Sequence, residues 1–315
     1  MTDSRHGFVR GLLSGTAQDL RFTLRSLKHR PTFTIAVVLV AALGVSVTVL
    51  AFTIVNAAFL RPPPHVRAPE KLAIISRELP TRPGQHFTIS YRDYLHIRER
   101  SGSLEDVAGV RPDPELMIRT GSALDRRVAG AEVTGNYFRV LGIPVAVGRP
   151  ILPEDVELGE RVAVLGHATS VREFGGGPDA LGQTIRIDGQ RHTVVGIAPP
   201  GLGLLDGQPI EIAVWIPLRP LYTENSDWNV LLVAGRRRAD AGLPQVRAEL
   251  TLLAAGLAAA EPDRWTDRDK AIGLKAMTER QARLEVVGGP RGVASIIIWF
   301  VFVGVIMAVA LSLIH

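Results

Sequence analysis

Two long stretches without a charged residue, one near each end of the chain, constrain the fold more than any other feature of the sequence. They run over Pro31–Leu60 and Gly292–Ile314. An apolar helix of about 20 residues crosses the ~30 Å hydrocarbon core of a bilayer, and both stretches exceed that length. We therefore predict transmembrane helices at 32–60 and 292–315, with residues 61–291 forming one domain outside the bilayer.

The charged residues lie outside these two stretches. Residues 61–291 hold 30 Lys and Arg against 29 Asp and Glu, so this part is polar and nearly neutral. The net charge of +5 comes mainly from the first 30 residues, which carry six basic and two acidic side chains. Because the large domain shows no basic cluster and no zinc-type motif, we expect no nucleic-acid partner. The chain has no Cys, which excludes disulfides and thiolate metal sites.

The N-terminal segment 1–31 has the pattern of an amphipathic helix. Apolar side chains recur at helical spacing along one face: Leu13, Ala17, Leu20, Leu24 and Leu27. The neighbouring face carries Arg21, Arg25 and Lys28, and we predict that these cations contact an anionic membrane surface. An ordinary solvated helix is the alternative.

Small residues interrupt the first apolar stretch at Gly44, Ser46 and Thr48. In membranes such residues often mark contact between helices, so we predict helix packing there. A cleaved signal peptide is the alternative, because a basic segment precedes the stretch and Val55–Ala57 resembles a cleavage site. The run is about twice as long as the ~7–15 apolar residues of a signal peptide, which favours a retained helix.

The pattern of residues 61–291 predicts a mixed α+β domain. Strands are predicted at 72–76, 115–120, 126–133, 161–166, 210–218 and 229–238, and helices at 91–100, 135–143 and 247–262. Asp188 and Gly189 interrupt an alternating pattern and predict a β-hairpin. On the first of these helices we expect Tyr91 and Tyr94 to face inward and Asp93 to face outward.

Motifs that carry catalysis or bind cofactors are missing from the sequence. No helix pattern follows the Gly201–Gly203 segment, and Gly175–Pro178 lacks the Lys of a phosphate loop. The eight His show no metal-ligand spacing, and there is no G-x-S-x-G elbow. We therefore expect no catalytic, cofactor-binding or metal-binding residue in this chain, and no enzymatic activity.

Several blocks of sequence resemble MacB/FtsX-like ABC transporter permeases, especially the large bacterial ADOP group. The first block, 19–62, resembles the start of these permeases. Six further blocks are similar, in order and spacing, to the MacB-like periplasmic core domain: SYRDYL (90–95), GAEVTGNYFRVLGI (130–143), GRPILPED (148–155), VAVLGH (162–167), FGGGPDALGQTIRIDG (174–189) and VVGIAPPG (194–201).

This resemblance implies a multi-pass permease subunit of the bacterial cytoplasmic (inner) membrane, with its large domain extracytoplasmic. The subunit would act as a homodimer or pseudo-dimer with a separate cytoplasmic ABC ATPase. ATP would bind to that ATPase, so no cofactor is expected in this chain. Hydrolysis would move the extracytoplasmic domain for export or mechanotransmission. The basic residues flanking the first apolar stretch add only a weak orientation bias.

Members of this family have four membrane helices, of which this sequence contains the first two. We therefore expect a C-terminally truncated fragment, with the last five residues, LSLIH, derived from a sequencing adaptor. The alternative function is a two-span extracytoplasmic sensor or scaffold with no ATPase partner. A membrane-anchored hydrolase is a third alternative, which the missing catalytic motifs disfavour.

Overall fold

A computed structural model of the chain describes residues 62–121, 124–204 and 211–286, with single helical positions in 42–53 and 295–306. The chain divides into two units, residues 1–57 with 290–315 and residues 58–289. The predicted surface helix at 1–31, and most of the two predicted spans, lie outside the described residues. The residues that are described include no helix long and apolar enough to cross a membrane.

The described part of residues 58–289 contains thirteen strands and eight α-helices. The strands are β1 (Leu72–Glu78), β2 (Ile89–Ser90), β3 (Leu104–Thr120), β4 (Arg126–Val133), β5 (Val147–Gly148), β6 (Val162–Leu165), β7 (Thr184–Ile187), β8 (Gln190–Ile197), β9 (Val214–Pro217), β10 (Asn229–Arg237), β11 (Thr266–Asp267), β12 (Lys270–Ala271) and β13 (Gly273–Thr278). The helices are α1 (Tyr91–Arg100), α2 (Tyr137–Leu141), α3 (Pro153–Glu157), α4 (His167–Phe174), α5 (Pro220–Glu224), α6 (Leu243–Ala260), α7 (Pro262–Trp265) and α8 (Glu279–Val286).

Eleven of these strands form one mixed sheet in the order β13-β1-β10-β3-β4-β9-β6-β8-β5, with β2 beside β10 and β7 between β3 and β8. The pairs β4–β9 and β6–β8 are parallel, and the other pairs are antiparallel. Strands β11 and β12 form a separate two-stranded hairpin. The α+β class predicted for this domain is confirmed.

The long strand β3 changes partner along its length. Its first half pairs with β10, its middle with β4, and its end with β7. The register with β4 shifts between Asp113 and Leu116, around Pro114. A β-bulge is where a sheet tolerates proline, which has no N–H to donate. The sequence predicted a strand only from residue 115, because Pro112 and Pro114 resemble strand breakers.

Six strands close into a ring, because β7 joins β3 to β8 and completes the circuit β3-β4-β9-β6-β8-β7. Apolar side chains of these strands and of the short 178–180 turn form one buried cluster: Leu116, Ile118, Ala163, Leu165, Ala180, Ile185, Ile187, Val194, Ile197, Val214 and Ile216. Each is at most 2 % exposed, so the interior of the ring is closed to solvent.

The strands β13, β1, β10 and the first half of β3 form the open part of the sheet. Helices α1 and α6 cover one face of it. Val246 and Leu250 of α6 belong to the same buried cluster as Ile75 of β1 and Val233 of β10. The opposite face of these strands belongs to a second cluster that includes Tyr137 and Phe138 of α2.

The local elements that the sequence predicted with turn residues are confirmed. Helix α1 spans the predicted residues 91–100, and the hairpin β7–β8 turns at Asp188 and Gly189, which both have positive φ. Helix α2 ends before Gly142, which adopts the left-handed conformation of a C-cap. Helix α6 begins at Leu243, four residues before the predicted start at 247, because Gly242 precedes a Pro in its first turn.

Candidate functional site

The face of the open sheet opposite α6 carries a cavity of about 450 Å³. Its floor is a row of apolar cross-strand neighbours, Met277, Ile74, Ala234 and Ala108, that crosses β13, β1, β10 and β3. Side chains alternate between the two faces of a strand. The uninterrupted apolar runs in β1 and β10 therefore supply both the core under α6 and this second face.

Helix α8 and the segment 79–88, which leaves β1 and returns beside it, contribute the cover of the cavity. Ala282 of α8 and Phe87 of the segment both line it. The backbone N–H groups of Arg77 and Phe87 each donate to the other residue's carbonyl oxygen at 3.0 Å, which closes the segment back onto β1. Tyr137 of α2 also lines the cavity. The cover is thus two short helices and one turn, whereas the 18-residue α6 covers the other face.

Three polar side chains meet at the cavity. The Oγ atom of Ser76 lies 3.0 Å from Nδ1 of His86, and Nε2 of His86 contacts Oε2 of Glu285. An ionised carboxylate only accepts hydrogen bonds, so the hydrogen on Nε2 of His86 faces Glu285. Nδ1 of His86 and the Ser76 hydroxyl share a hydrogen bond whose direction depends on the tautomer of the ring. Ser76 is buried and the Glu285 side chain is 36 % exposed, so the negative charge lies towards solvent.

The same residue types form nucleophile triads, but Ser76 occupies a different structural position. The nucleophile of a hydrolase elbow lies on an exposed turn between a strand and a helix. Ser76 lies inside β1, paired with β13, and is 7 % exposed. This arrangement suits a fixed hydrogen-bonding group at the end of a cavity better than an attacking group.

A buried ion pair lies within α8. Glu279 and Arg283 contact each other one helical turn apart, and both side chains are nearly inaccessible. Burial raises the pKa of Glu279, and the charge and hydrogen bond of Arg283 oppose that rise. Helix α8 also contacts β1 and β13. Because both partners of the ion pair lie on α8, the pair stabilises the helix itself.

The expectation that Asp93 faces outward is wrong. Asp93 is fully buried, and its Oδ1 accepts a hydrogen bond from Nη2 of Arg264 at 3.3 Å. Arg77, also buried, lies over the Trp265 ring at 4.9 Å from its centroid and donates to Asn229 Oδ1 at 2.6 Å. Burial lowers the pKa of Arg77, although the charge of Asp93 partly offsets this. Arg264 and Trp265 belong to α7, which covers this side of α1.

A second buried carboxylate, Glu132 on β4, joins the ring to α5. Arg111 Nη1 donates to Glu132 at 2.8 Å and Arg219 Nε donates to it at 2.9 Å. Burial would lower the pKa of Arg219, but the hydrogen bonds and charge of Glu132 raise it above its usual value. The Arg111 guanidinium lies 4.7 Å from the centroid of the Tyr222 ring. Because the buried charge of Glu132 is compensated by two guanidinium groups, we interpret this cluster as structural.

Two of the predicted site residues, Gly44 and Ser46, are among the described positions, and both are helical. The Oγ atom of Ser46 donates a hydrogen bond to the carbonyl oxygen of Ala42 at 2.7 Å. Thr48 and the three cations Arg21, Arg25 and Lys28 lie outside the described residues. The helix contact and the membrane contact predicted for them stay predictions. Among the residues that are described, no three His, Asp or Glu side chains could together hold a metal ion.

The fold and sequence of this domain match a known family. The family model described as MacB-like periplasmic core domain matches residues 34–253, more than two thirds of the chain. This chain belongs to that family. The resemblance to MacB-like permeases is therefore confirmed. The match ends before β13 and α8, so Met277 and Glu285 of the cavity lie beyond the family's matched region.

Curated relatives of the MacB-like domain are much longer proteins. A macrolide export ATP-binding/permease protein MacB from Hahella chejuensis is 34 % identical over 82 residues, which cover 26 % of this chain and 12 % of the relative. A protein of the same description from Yersinia pestis is 33 % identical over 102 residues, covering 32 % and 15 %. The chain thus matches less than a sixth of the length of these relatives.

Solved structures share the fold of the MacB-like domain. The periplasmic region of MacB from Actinobacillus actinomycetemcomitans aligns with a TM-score of 0.50 and 12 % identity, covering 69 % of this chain and 92 % of that one. A permease-protein domain from Porphyromonas gingivalis aligns with a TM-score of 0.51 and 12 % identity, covering 68 % and 92 %. At this identity the likeness concerns the fold alone.

Proposed function

We propose that this chain is a permease subunit of a MacB/FtsX-type ABC transporter, in which a cytoplasmic ATPase moves the extracytoplasmic domain for export or mechanotransmission. Membership of the MacB-like family supports this, and the relatives' descriptions join an ATP-binding part to a permease part. The ATPase would be a separate subunit that binds the ATP, and the permease would act as a dimer. The chain itself would perform no catalysis.

The positions of the first and last long strands of the domain support the proposal. Strands β1 and β13 are neighbours, and Ala73 near the start of β1 pairs with Thr278 at the end of β13. The chain therefore enters and leaves the sheet at the same end. Both apolar stretches connect to that end through short segments of sequence. A movement of two membrane helices would act on the β1–β13 end of the sheet through these segments.

The apolar stretches themselves support a membrane location. Their described positions are helical, and the large apolar side chains there are at least half exposed: Val45, Val49, Leu50, Phe52, Ile298, Trp299, Phe302 and Ile306. Helices with exposed large apolar side chains suit contact with lipid rather than with water. We propose spans at 32–60 and 292–315, with the surface helix 1–31 on the cytoplasmic side.

Single-cysteine labelling tests this topology, because the chain has no Cys of its own. Glu224→Cys on α5, an exposed position, is expected to react with a membrane-impermeant maleimide in intact spheroplasts. Asp3→Cys near the N-terminus is expected to react only after lysis. The reverse pattern, or labelling of both variants before lysis, would contradict the proposed orientation.

The ATPase separates the proposal from the sensor or scaffold alternative. The complete gene product, tagged and isolated from its native membrane in mild detergent, is expected to retain a nucleotide-binding subunit whose ATP hydrolysis depends on the permease. An isolated complex without ATPase activity would favour the sensor or scaffold.

A further inference from the structure

We propose that the cavity between the open sheet and α8 binds a small apolar molecule that carries one cationic group, and that this molecule holds α8 against the sheet. Any consequence for the second apolar stretch, which follows α8 in the sequence, rests on the proposed function. The binding itself does not.

The size and lining of the cavity favour a small-molecule ligand. At about 450 Å³ it falls within the ~300–1,000 Å³ range of ligand pockets. Met277, Ile74 and Leu232 provide an apolar floor on three adjacent strands. Apolar side chains that line an unfilled pocket forfeit packing contacts. The hydrocarbon body of a ligand would restore these contacts.

The charge at the cavity selects the ligand's polar group. Glu285 contributes a carboxylate to the lining, and the described lining residues include no Lys or Arg. The carboxylate contacts His86, which in turn bonds to Ser76, so the group is held in place from inside the cavity. A carboxylate accepts about four hydrogen bonds, so it can bind His86 and an ammonium group together.

The position of Glu285 connects binding to the end of the domain. Glu285 is the seventh residue of the eight-residue α8, and the chain continues from α8 towards the apolar stretch that begins at Gly292. A ligand whose amine bonds to Glu285 and whose body lies on Ile74 would join α8 to β1. Occupancy would therefore resist a movement of α8 away from the sheet.

Methyl NMR of the full chain in lipid nanodiscs tests the binding. The chain has four Met, and Met277 lies in the cavity lining whereas Met117 does not. We expect the ¹³C-methyl signal of Met277 to shift saturably with decylamine, and the Met117 signal to stay unchanged. Decanol and decanoate, which share the chain length, should bind at least about tenfold more weakly.

Two variants locate the ligand. Glu285→Gln should remove the preference for decylamine over decanol, whereas Glu224→Gln, an exposed carboxylate outside the lining, should preserve it. Ala282→Phe should abolish the Met277 shift by filling the cavity from α8. Equal binding of all three probes would overturn the cationic class, and no Met277 shift with any probe would overturn the site.

A label on α8 tests the second half of the proposal. A nitroxide on Arg280→Cys, an exposed position of α8, should lose mobility when decylamine saturates the cavity. Binding without any change in label mobility would overturn the link to α8. Because neither measurement uses an ATPase, both results stand apart from the outcome of the transport experiments.

Discussion

The closed ring of this domain buries the apolar side chains of its interior completely, whereas the open sheet leaves some of its apolar side chains beside a cavity. In the ring, six strands surround their own interior, and residues such as Leu116 and Ile216 are inaccessible. In the open sheet, β1 and β10 are apolar on both faces, so each face needs a separate cover. Helices α1 and α6 cover one face, and the short helices α2 and α8 with the 79–88 segment leave a cavity over the other.

The difference shows that strand pattern alone does not decide how well a sheet packs. Closure supplies a second layer of side chains without any helix. An open sheet depends on the length and shape of the elements that cover it. Where the cover is short, unfilled volume results, and in this domain it lies beside the strands through which the chain enters and leaves.

The largest expected effect compares truncations in the two regions. Leu116→Ala in the ring should lower the free energy of unfolding by about 2–5 kcal/mol, because the closed interior cannot collapse around the void. Leu232→Ala, which only enlarges the existing cavity, should cost about 1–2 kcal/mol. Urea denaturation of the full chain, followed by tryptophan fluorescence, measures both. Equal losses would remove the distinction between the regions.

Enlarging a buried side chain should change the free energy of unfolding in opposite directions in the two regions. Ala163→Leu in the packed ring should destabilise the domain by about 1–3 kcal/mol through overpacking. Ala282→Leu on α8 should be neutral or stabilise it by about 0.5–1 kcal/mol, since the added atoms enter free volume. The same urea denaturation assay measures both variants. Destabilisation by Ala282→Leu would show that the cavity has no free volume for the added atoms.

Two carboxylates of the open sheet and its cover, Glu279 and Asp106, should make the free energy of unfolding depend on pH in opposite directions. Burial raises the pKa of Glu279 at the base of α8 above its unfolded value. Its contribution is therefore fully present below the unfolded pKa and is lost as pH rises through the folded pKa. Glu279→Gln should reduce the loss of stability that accompanies rising pH. Unfolding curves measured from about pH 4, near the usual pKa of Glu, to about pH 8 test this.

Asp106, on the half of β3 that pairs with β10, provides the opposite case. Burial alone would raise the pKa of Asp106, but hydrogen bonds from Asn136, Val107 and Arg98 lower it. Its contribution is present above the unfolded pKa and is lost as pH falls through the folded pKa. Asp106→Asn should weaken the acid sensitivity that Glu279→Gln leaves unchanged. Identical pH profiles for the two variants would contradict this assignment.

The smallest expected effect concerns chemistry at the cavity. Ser76→Ala should leave the background hydrolysis of p-nitrophenyl esters by the purified chain unchanged, because Ser76 lies inside β1 rather than on an exposed turn. A rate that falls on this substitution and on His86→Ala would identify a hydrolase and overturn the expectation that the chain is not an enzyme.

Features fixed by neighbouring residues could be predicted from the sequence. The turn at Asp188 and Gly189 and the helix end at Gly142 need only local backbone preferences. The resemblance to the MacB-like domain supplied the family. The pattern also contained a signal for the cavity, since an unbroken apolar run such as LAIIS requires cover on both faces.

Features that depend on distant pairing could not be predicted. The group formed by Ser76, His86 and Glu285 exists because β1 pairs with β13 about 200 residues later in the chain. Asp93 was expected to face solvent because nothing in its own helix shows that Arg264 covers it. The strand β13 and helix α8 lack a strong local pattern, and their position is set by the edge of β1.

The partner exchange along β3 has a consequence for how force would travel through the domain. One strand belongs to both the open sheet and the ring, so each strand is hydrogen-bonded to the next from β13 to β5, with register shifts within the β10–β3, β3–β4 and β6–β8 pairs. A displacement applied at the β1–β13 edge would carry the whole sheet with it as one stiff body.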